Sequence, residues 1–334
     1  KKYVNLFVFV FMIGACLSQG RAQTKSAVSY KNPVVDIAMP DPTVIKAADG
    51  YFYVYATEST RNVPIMKSKD LVEWTYCNTA FTNKTRPRFE PKAGIWAPDI
   101  NYINGKYVLY YAMSVWGGEQ TCGIGVATAN SPQGPFTDHG KMFRSNEIGV
   151  QNSIDPSLLQ YEGRNYLVWG SFRGIYVIEL TADGLSIMPG AKKKRIAGTA
   201  FEAVYIHKYG DYYYMFASIG SCCQGVKSTY KVVVGRSKKV WGPYKDKTGK
   251  PMLKNGYSLV IGANDHFVGN GHGSQIIRDD AGQDWLLYHG FLRSTPENGR
   301  ILLLDQIKWD QEGWPYVEGG SPSYETQKAP VFNN

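Results

Sequence analysis

A short strand pair is repeated along this chain, and the repeat constrains the fold more than any other feature. In IDPSLLQYEGRNYLVWGSF, residues 154–172, an apolar strand opens at Asp155, turns at Gly163 and returns as an aromatic strand. A strand, a tight turn at glycine and a second strand are typical of a β-hairpin. Counted back from each turn glycine, the pattern recurs with the opening residues Asp41, Ala97, Glu202 and His272. Each hairpin leads into further strand-like sequence, and the units follow one another at roughly 50- to 70-residue intervals.

The repeat predicts an all-β fold, a five-bladed β-propeller. In such a ring the first strand of each blade lines the central axis, so the opening residues of all blades meet at one end of a channel. We therefore expect Asp41, Asp155 and Glu202 to converge, although they lie far apart in the sequence. An aspartate before proline is often only a turn residue. Three acids at the same position of a repeat instead indicate a functional cluster, which His272 joins.

The start of the chain has the pattern of a secretory signal peptide. Residues 1–23 combine a basic start, a short apolar run and small residues. Cleavage before Cys16 would leave a lipid anchor of the bacterial lipoprotein type, whereas cleavage after Gln23 would give a soluble product. We expect residues 27–330 to form a single propeller, the catalytic domain. The protein is accordingly predicted to be exported, either periplasmic or attached to the outer membrane, or alternatively secreted.

Charge and cysteine content suggest few macromolecular partners. The formal net charge is +9, with the densest basic run at residues 192–195, but no nucleic-acid motif accompanies that run. We expect no nucleic-acid partner and a monomeric protein. The cysteine spacings do not match a zinc site. Adjacent Cys222 and Cys223 can form a vicinal disulfide or remain thiols, and we expect them to shape a loop at the channel mouth.

Aromatic residues in loops at the predicted channel mouth suggest a carbohydrate ligand. Trp96 enters the second repeat, and Trp116 and Gly117 leave its second strand. The apolar faces of sugar rings stack on aromatic side chains while their hydroxyl groups bond to polar groups. A tryptophan in an all-β protein is more often part of the core, so this argument is confined to tryptophans in loops.

With these elements placed, the sequence resembles glycoside hydrolase family 43, and within it the arabinanases. The matching segments cover nearly the whole chain after its leader, from about residue 32 to residue 315. They are Asp41-Pro42, WAPDI at 96–100, SIDPS at 153–157, WGSF at 169–172, FEAVYI at 201–206, SCCQGVKSTYKVVVGRS at 221–237, GHGS at 271–274 and WLLYHG at 285–290.

The resemblance implies three catalytic roles. Asp41 would be the general base, Glu202 the general acid, and Asp155 the group that raises the pKa of Glu202 and orients it. Family members hydrolyse with inversion, which places acid and base about 6.5 to 9.5 Å apart so that a water molecule fits between base and sugar. A second carboxylate near Glu202 disfavours its ionisation and keeps it protonated near neutral pH.

The resemblance also implies substrate contacts and a cation. The residues that match substrate-contacting positions of arabinanases are Asn152, Ser153, Ile154, Gly170, Ser171, Phe172 and Arg300. Calcium or another cation would lie on the axis near His272, held directly or through water, although a hydrogen bond from His272 to a carboxylate is the simpler expectation. No organic cofactor is expected.

These expectations predict an enzyme that cuts internal α-1,5-L-arabinofuranosidic bonds of plant cell-wall arabinan or arabino-oligosaccharides. An exo-acting α-L-arabinofuranosidase or β-xylosidase on the same fold is the first alternative, because rim loops decide whether the binding groove is open at both ends. A non-catalytic glycan-binding propeller is the second, though it would not need all three acids. A retaining fructan hydrolase is a further alternative, but its Arg-Asp-Pro and Glu-Cys elements are not found.

Overall fold

The computed structural model describes residues 28–333, which form five sheets arranged as blades in a ring and one small strand pair. The predicted signal peptide, residues 1–23 with Cys16, lies outside the described residues. Two short strands come first, and the first blade follows them. Their bounds are β1 Ser29–Tyr30, β2 Val35–Ala38, β3 Thr43–Lys46, β4 Phe52–Tyr55, β5 Pro64–Ser68 and β6 Thr75–Thr79.

Blades two, three and four each consist of four strands in sequence order, antiparallel throughout. The strands of blade two are β7 Gly94–Ile103, β8 Lys106–Ser114, β9 Gly123–Ala129 and β10 Thr137–Arg144, followed by the one-turn helix α1 Ser145–Ile148. Those of blade three are β11 Ser157–Tyr161, β12 Arg164–Trp169, β13 Ile175–Glu179 and β14 Lys194–Ala197. Those of blade four are β15 Glu202–Tyr209, β16 Tyr212–Ile219, β17 Lys231–Ser237 and β18 Ser258–Ile261, with 3₁₀ turns at Gly225–Lys227 and Met252–Lys254.

Blade five joins the two ends of the chain. Its sheet order is β19, β21, β22 and then β2, so the outermost strand comes from the start of the chain. The remaining elements are β19 Phe267–Gly271, β20 Ile277–Arg278, β21 Asp284–Leu292, β22 Ile301–Trp309, β23 Pro315–Tyr316 and β24 Gln327–Lys328, with 3₁₀ turns at Pro296–Asn298 and Glu318–Gly320. The predicted five-bladed β-propeller is confirmed. The sequence repeat did not reveal that β2 completes the last blade.

Side chains around Asn32 hold this closure together. The Asn32 amide donates to the carbonyl of Leu304 at 2.9 Å, and its oxygen accepts the Leu304 N–H at 2.9 Å. The Tyr30 hydroxyl donates to the same carbonyl at 2.8 Å. Strand β1 also pairs with β24 near the end of the chain. The start of the chain is thus tied to blade five through β2, and the ring leaves only the short outer strand of each blade as a sheet edge.

The hydrophobic core lies between neighbouring blades, in five clusters of buried aliphatic and aromatic side chains. Strand β8 illustrates this packing, because a strand that lies between two blades is covered on both faces. Eight of its nine residues, KYVLYYAMS, are buried. Tyr55, Tyr111 and Trp169 are fully buried members of these interfaces. No helix among the described residues is long and apolar enough to cross a bilayer.

Every blade has one residue with a left-handed backbone conformation before, within or directly after its innermost strand. The φ angles are 53° at Asp41, 41° at Ala97, 56° at Asp155, 54° at Ala203 and 51° at His272. Such values are rare outside glycine, cost about 1 to 3 kcal/mol each, and concentrate at functional sites. In blade four the equivalent residue is Ala203, so Glu202 lies one position earlier than the sequence repeat suggested. We refer to these five residues as the corner residues.

Candidate active site

A groove of about 780 Å³ opens at one end of the propeller axis, and three of the corner residues, Asp41, Asp155 and His272, line it. Loops from the blades surround it. Twelve of the fourteen site residues expected from the sequence line it: Asp41, Trp96, Trp116, Gly117, Asn152, Ile154, Asp155, Ser171, Phe172, Glu202, His272 and Arg300. The three acids therefore converge from blades one, three and four, as the repeat predicts. Each of them is less than a tenth exposed.

Asp41 is held by donors on both carboxylate oxygens. Arg300 donates from Nη1 to Oδ1 at 2.7 Å, and the Thr57 hydroxyl donates to Oδ2 at 2.6 Å. Thr57 in turn accepts the Ala97 N–H at 2.7 Å, which links blades one and two. Burial alone would raise the pKa of Asp41, but the charges of Arg300 and His272 outweigh it and hold that pKa well below its usual value. Asp41 is thus an ionised carboxylate at neutral pH.

Two histidines flank Asp41, and their pKa values are shifted in opposite directions. His272 Nδ1 lies 3.2 Å from Asp41 Oδ1, and this carboxylate raises the pKa of His272 against the lowering effect of burial. His289 Nδ1 instead accepts the backbone N–H of Asp41 at 3.0 Å. Burial, followed by the charge of Arg300, lowers the pKa of His289 well below its usual value. His289 is therefore neutral and fixes the backbone of the corner residue Asp41.

Asp155 and Glu202 form a buried pair of carboxyl groups, and this pair holds a proton more strongly than an exposed carboxyl group does. Burial and then the charge of Glu202 raise the pKa of Asp155 to about 8. Burial also raises the pKa of Glu202, against the lowering effect of the Ser171 hydrogen bond. The pair titrates as a unit, so its protons belong to both residues. Near neutral pH it retains a proton that can be given to a leaving group.

The immediate partners of the pair help to position this proton. The Ala203 N–H donates to Asp155 Oδ2 at 3.1 Å. The Ser171 hydroxyl donates to Glu202 Oε2 at 2.6 Å, and Asn152 Nδ2 donates to Ser171 Oγ at 2.9 Å. Asn152, Ser171 and Glu202 thus form a chain of hydrogen bonds that orients the acid. Sequence comparison suggested substrate contacts for Asn152 and Ser171, whereas the structure shows that they also orient Glu202.

Two predicted contact residues support the groove without lining it. Ser153 is completely buried, donates to the Val150 carbonyl at 2.7 Å and accepts the Trp169 indole N–H at 3.0 Å. Gly170 has a φ of 125°, and a Cβ there would lie 2.3 Å from the Gly174 carbonyl oxygen. Their motifs mark close packing beneath Asn152 and Ser171, so the prediction of direct substrate contact by these two residues is not supported by their positions.

An aromatic wall bounds the groove on the side of blade two. The rings of Trp96 and Trp116 lie 5.5 Å apart at 50°, and Trp116 is 79% exposed. The positively charged Arg300 and the negatively charged Asp41 face the same space. A large exposed indole beside hydrogen-bonding groups suits a sugar ring, whose faces are apolar and whose edges are polar.

The predicted axial cation is not supported by the side chains near His272. Calcium takes six to eight oxygen ligands, and among residues 28–333 no group of three or more His, Cys, Asp or Glu side chains is arranged to hold a metal ion. Below His272 lies an axial cavity of only about 20 Å³. Asp99, which lines that cavity, already accepts hydrogen bonds from Gln275 Nε2 at 3.0 Å and the Leu158 N–H at 2.7 Å. These residues do not fit a calcium site built from protein ligands.

Several site residues were missed from the sequence. Thr57 lies in the loop after β4, which carries no motif, and His289 lies in the matching segment at 285–290 but was not singled out as a partner of Asp41. Tyr230 belongs to the segment 221–237, which contributed to the family resemblance. In the structure its buried ring lies next to Glu202. Cys222 and Cys223, left open between thiols and a bond, form a vicinal disulfide that lines the groove.

Comparison with known families gives a match that spans the propeller. The model for glycosyl hydrolases family 43 matches residues 30–315. This range contains Asp41, Asp155 and Glu202, together with every strand from β2 to β22.

Individual relatives agree with that match. The chain is 37% identical over 290 residues to an extracellular endo-α-(1→5)-L-arabinanase of Bacillus subtilis, covering 82% of this chain and 86% of that protein. It is 36% identical over 307 residues to an extracellular exo-α-(1→5)-L-arabinofuranosidase of Cellvibrio japonicus, covering 83% and 86%. The structure of Cellvibrio cellulosa α-L-arabinanase complexed with arabinohexaose superposes with a TM-score of 0.77 at 33% identity, covering 85% of this chain and 96% of that one.

Proposed function

Because the chain belongs to glycosyl hydrolase family 43, we propose that it hydrolyses internal α-1,5-L-arabinofuranosidic bonds of arabinan with inversion. The observation that carries the proposal is that one groove holds carboxyl groups in two environments, Asp41 against Arg300 and Thr57, and the buried pair of Asp155 and Glu202. Asp41 is ionised, whereas the pair of Asp155 and Glu202 holds a proton. Single displacement needs one carboxylate that activates water and one acid that protonates the leaving oxygen.

Each residue then has a defined task. Asp41, held by Arg300 at Oδ1 and by Thr57 at Oδ2, accepts on one carboxylate oxygen the proton of a water molecule whose oxygen attacks the anomeric carbon. Glu202 donates its proton to the glycosidic oxygen, and the bond between that oxygen and the anomeric carbon breaks. Asp155 shares the proton of the pair with Glu202, and in the state in which Asp155 is ionised its charge raises the pKa of Glu202 and keeps the proton available there.

The relatives support endo action on arabinan. The Bacillus subtilis relative is named an endo-arabinanase, and the Cellvibrio cellulosa arabinanase was solved with a hexasaccharide. A groove of about 780 Å³ has the volume to hold several sugar units. The exo-acting α-L-arabinofuranosidase remains the second candidate, because the Cellvibrio japonicus relative carries that name.

Two accessory expectations belong to this proposal. Hydrolysis by a pair of carboxyl groups needs no organic cofactor, and no step of the mechanism passes through a metal. The axial cation near His272 stays a prediction that would require water as most of its ligands. This prediction is tested by measuring the melting temperature after chelation and again after calcium is added back. A bound cation should make the two values differ, and an unchanged melting temperature contradicts the prediction.

The cellular context is proposed from the sequence and the relatives. Two relatives are named extracellular proteins, which supports export of this chain. We place the signal peptide at residues 1–23, the single catalytic domain at 27–330, and keep both a lipid anchor at Cys16 and a soluble secreted form. The intact mass of the exported protein distinguishes the two forms, and its sedimentation tests the predicted monomer.

The decisive experiment is a product time course on linear arabinan, branched arabinan and xylan. We expect a spread of arabino-oligosaccharides at early times from linear arabinan, with inverted anomeric configuration by proton NMR. Monosaccharide as the sole early product would establish exo action, preference for xylan would refute the substrate, and retained configuration would refute single displacement.

Two variants connect that activity to the site. Glu202→Gln removes the proton donor and is expected to slow arabinan cleavage by about 10²- to 10⁴-fold while oligosaccharide binding persists. The matched control is Glu318→Gln, a surface glutamate whose side chain is 76% exposed. An active Glu202→Gln enzyme would contradict the assignment of the acid.

A further inference from the structure

We propose that the Tyr230 hydroxyl is a positioning group for the general acid, donating a hydrogen bond to the Glu202 carboxylate as that group gives up its proton. This inference rests on the proposed function and assigns a role to a residue that the mechanism above does not use. Tyr230 is not in contact with the solvent, being 1% exposed.

The fold brings Tyr230 close to Glu202 from two strands away. Glu202 pairs with Ser218 on β16, and Ser218 pairs with Val232 on β17, two residues after Tyr230. The backbone N–H of Tyr230 donates to the Ser221 carbonyl at 3.1 Å, which closes the disulfide loop beneath the groove. Because the loop is closed on itself, the position of Tyr230 at its end is well defined.

The Tyr230 ring has little freedom to turn away. It stacks on His289 with ring centres 5.6 Å apart and planes at 12°. On another side it packs against Gly271, where a Cβ would lie 2.2 Å from the ring. Only glycine leaves room for the ring in this orientation. The direction of the hydroxyl is therefore set by the packing around it.

The hydroxyl is buried and has no partner at full hydrogen-bond geometry among the described residues, although Glu202 lies near enough for the hydroxyl to lower its pKa as a distant donor. A buried polar group without a partner is costly, so its presence calls for a physical reason. The charges that act on it most strongly are those of Glu202 and Asp155. The surroundings thus offer carboxyl groups as the acceptors within its reach.

Proton transfer supplies the missing partner. At rest Glu202 holds a proton and is a weak acceptor, while in the transition state it becomes a carboxylate and a strong one. The Glu202 proton goes to the glycosidic oxygen, and Tyr230 keeps its own proton, since burial and neighbouring acids raise the pKa of its phenol well above the usual value. An interaction stronger in the transition state than at rest accelerates the reaction.

Tyr230 would act as the second of two donors to the same acid. Ser171 already donates to Glu202 Oε2 at 2.6 Å. Two donors on one carboxylate spread its developing charge over both oxygens. The role is one of positioning and charge stabilisation, because nothing requires Tyr230 to touch the sugar.

The test uses Tyr230→Phe in the full protein, which removes the hydroxyl and keeps the ring against His289 and Gly271. On linear arabinan we expect kcat to fall about 10- to 100-fold with KM changed less than about threefold, the effect of one hydrogen bond to a charged group. On an arabinotrioside carrying 4-nitrophenol, whose departure needs little protonation, the loss is expected to be below about threefold. The basic limb of the pH–rate profile should also move to higher pH, since a lost donor raises the pKa of Glu202.

The matched control is Tyr288→Phe. That hydroxyl is also buried but donates to Asp305 at 2.6 Å, within blade five and away from the acids. The control should lower the melting temperature without any dependence on the leaving group. Equal losses on both substrates for Tyr230→Phe, or no loss on either, would overturn the proposal. If Glu202→Gln itself lacks the leaving-group dependence, the assignment of the acid fails instead.

Discussion

Replacing Arg300 by glutamine should move the acid limb of the pH–rate profile upward. Arg300 donates to Asp41 Oδ1 at 2.7 Å, and its charge is the main influence that opposes burial and keeps Asp41 ionised. The side chains of Arg300 and Asp41 are 17% and 12% exposed, so water screens the pair only partly. A proton acceptor works only while ionised, hence activity is lost as the pH falls through the pKa of Asp41.

The size of the shift follows from the hydrogen bond that is removed. A hydrogen bond between charged groups contributes about 1.5 to 3 kcal/mol, and one pKa unit corresponds to about 1.4 kcal/mol. The pKa of Asp41 should therefore rise by about one to two units in Arg300→Gln. Thr57 and His272 remain near the carboxylate and limit the rise. Arg300→Lys, which keeps the charge, should shift the limb less.

The assay is kcat/KM on linear arabinan between about pH 3.5 and pH 8, because this ratio reports the pKa values of the free enzyme. Arg164→Gln serves as the control, since Arg164 is a surface arginine whose side chain is 65% exposed. We expect a flat wild-type profile at the acid end and a falling one for Arg300→Gln. A lower kcat/KM with an unmoved acid limb would show that Arg300 acts on the sugar rather than on Asp41, and would refute the reasoning.

Two further predictions concern the groove and the closure of the ring. Trp116→Ala should raise KM for arabinan about tenfold with little change in kcat, because an exposed stacking surface of roughly 1 to 2 kcal/mol is lost; Tyr102→Ala, an exposed tyrosine on blade two outside the groove, should leave KM unchanged. Asn32→Ala should lower stability by roughly 2 to 4 kcal/mol, since it leaves the buried N–H and carbonyl of Leu304 without this side-chain partner. Thermal unfolding measures that loss, and activity at 25 °C should stay within about twofold of the wild type; an unchanged melting temperature would contradict the role of Asn32 in closure.

The architecture could be predicted from the sequence because each repeat contains a recognisable glycine turn and a recognisable position for a polar residue. Asp41 and Asp155 each precede a proline and open an apolar strand, so their equivalence could be recognised without coordinates. The alignment of blade four was wrong by one residue, since Glu202 and Ala203 both lie at the start of β15 and only the left-handed backbone at Ala203 distinguishes them. Local pattern was sufficient for the ring but not for the register of each corner.

Contacts between distant segments could not be predicted in the same way. Strand β2 carries ordinary strand sequence, and only ring closure explains why it joins the last blade. His289 and Tyr230 were missed because their importance lies in what they pack against, which is set by blades far from Asp41 and Glu202 in the chain. Ser153 and Gly170 do not line the groove although their neighbours Asn152 and Ser171 do, because adjacency in a motif does not determine which residue faces the groove.

The five corner residues share one backbone conformation but differ in the chemistry of their side chains. Ala97 and Ala203 adopt the same backbone turn as Asp41, Asp155 and His272, although a methyl group contributes no chemistry there. The backbone conformation at these positions therefore does not depend on whether the side chain is reactive. Three of the five, Asp41, Asp155 and His272, line the groove, so the shared backbone conformation and the chemistry of the side chain are separate features of each blade.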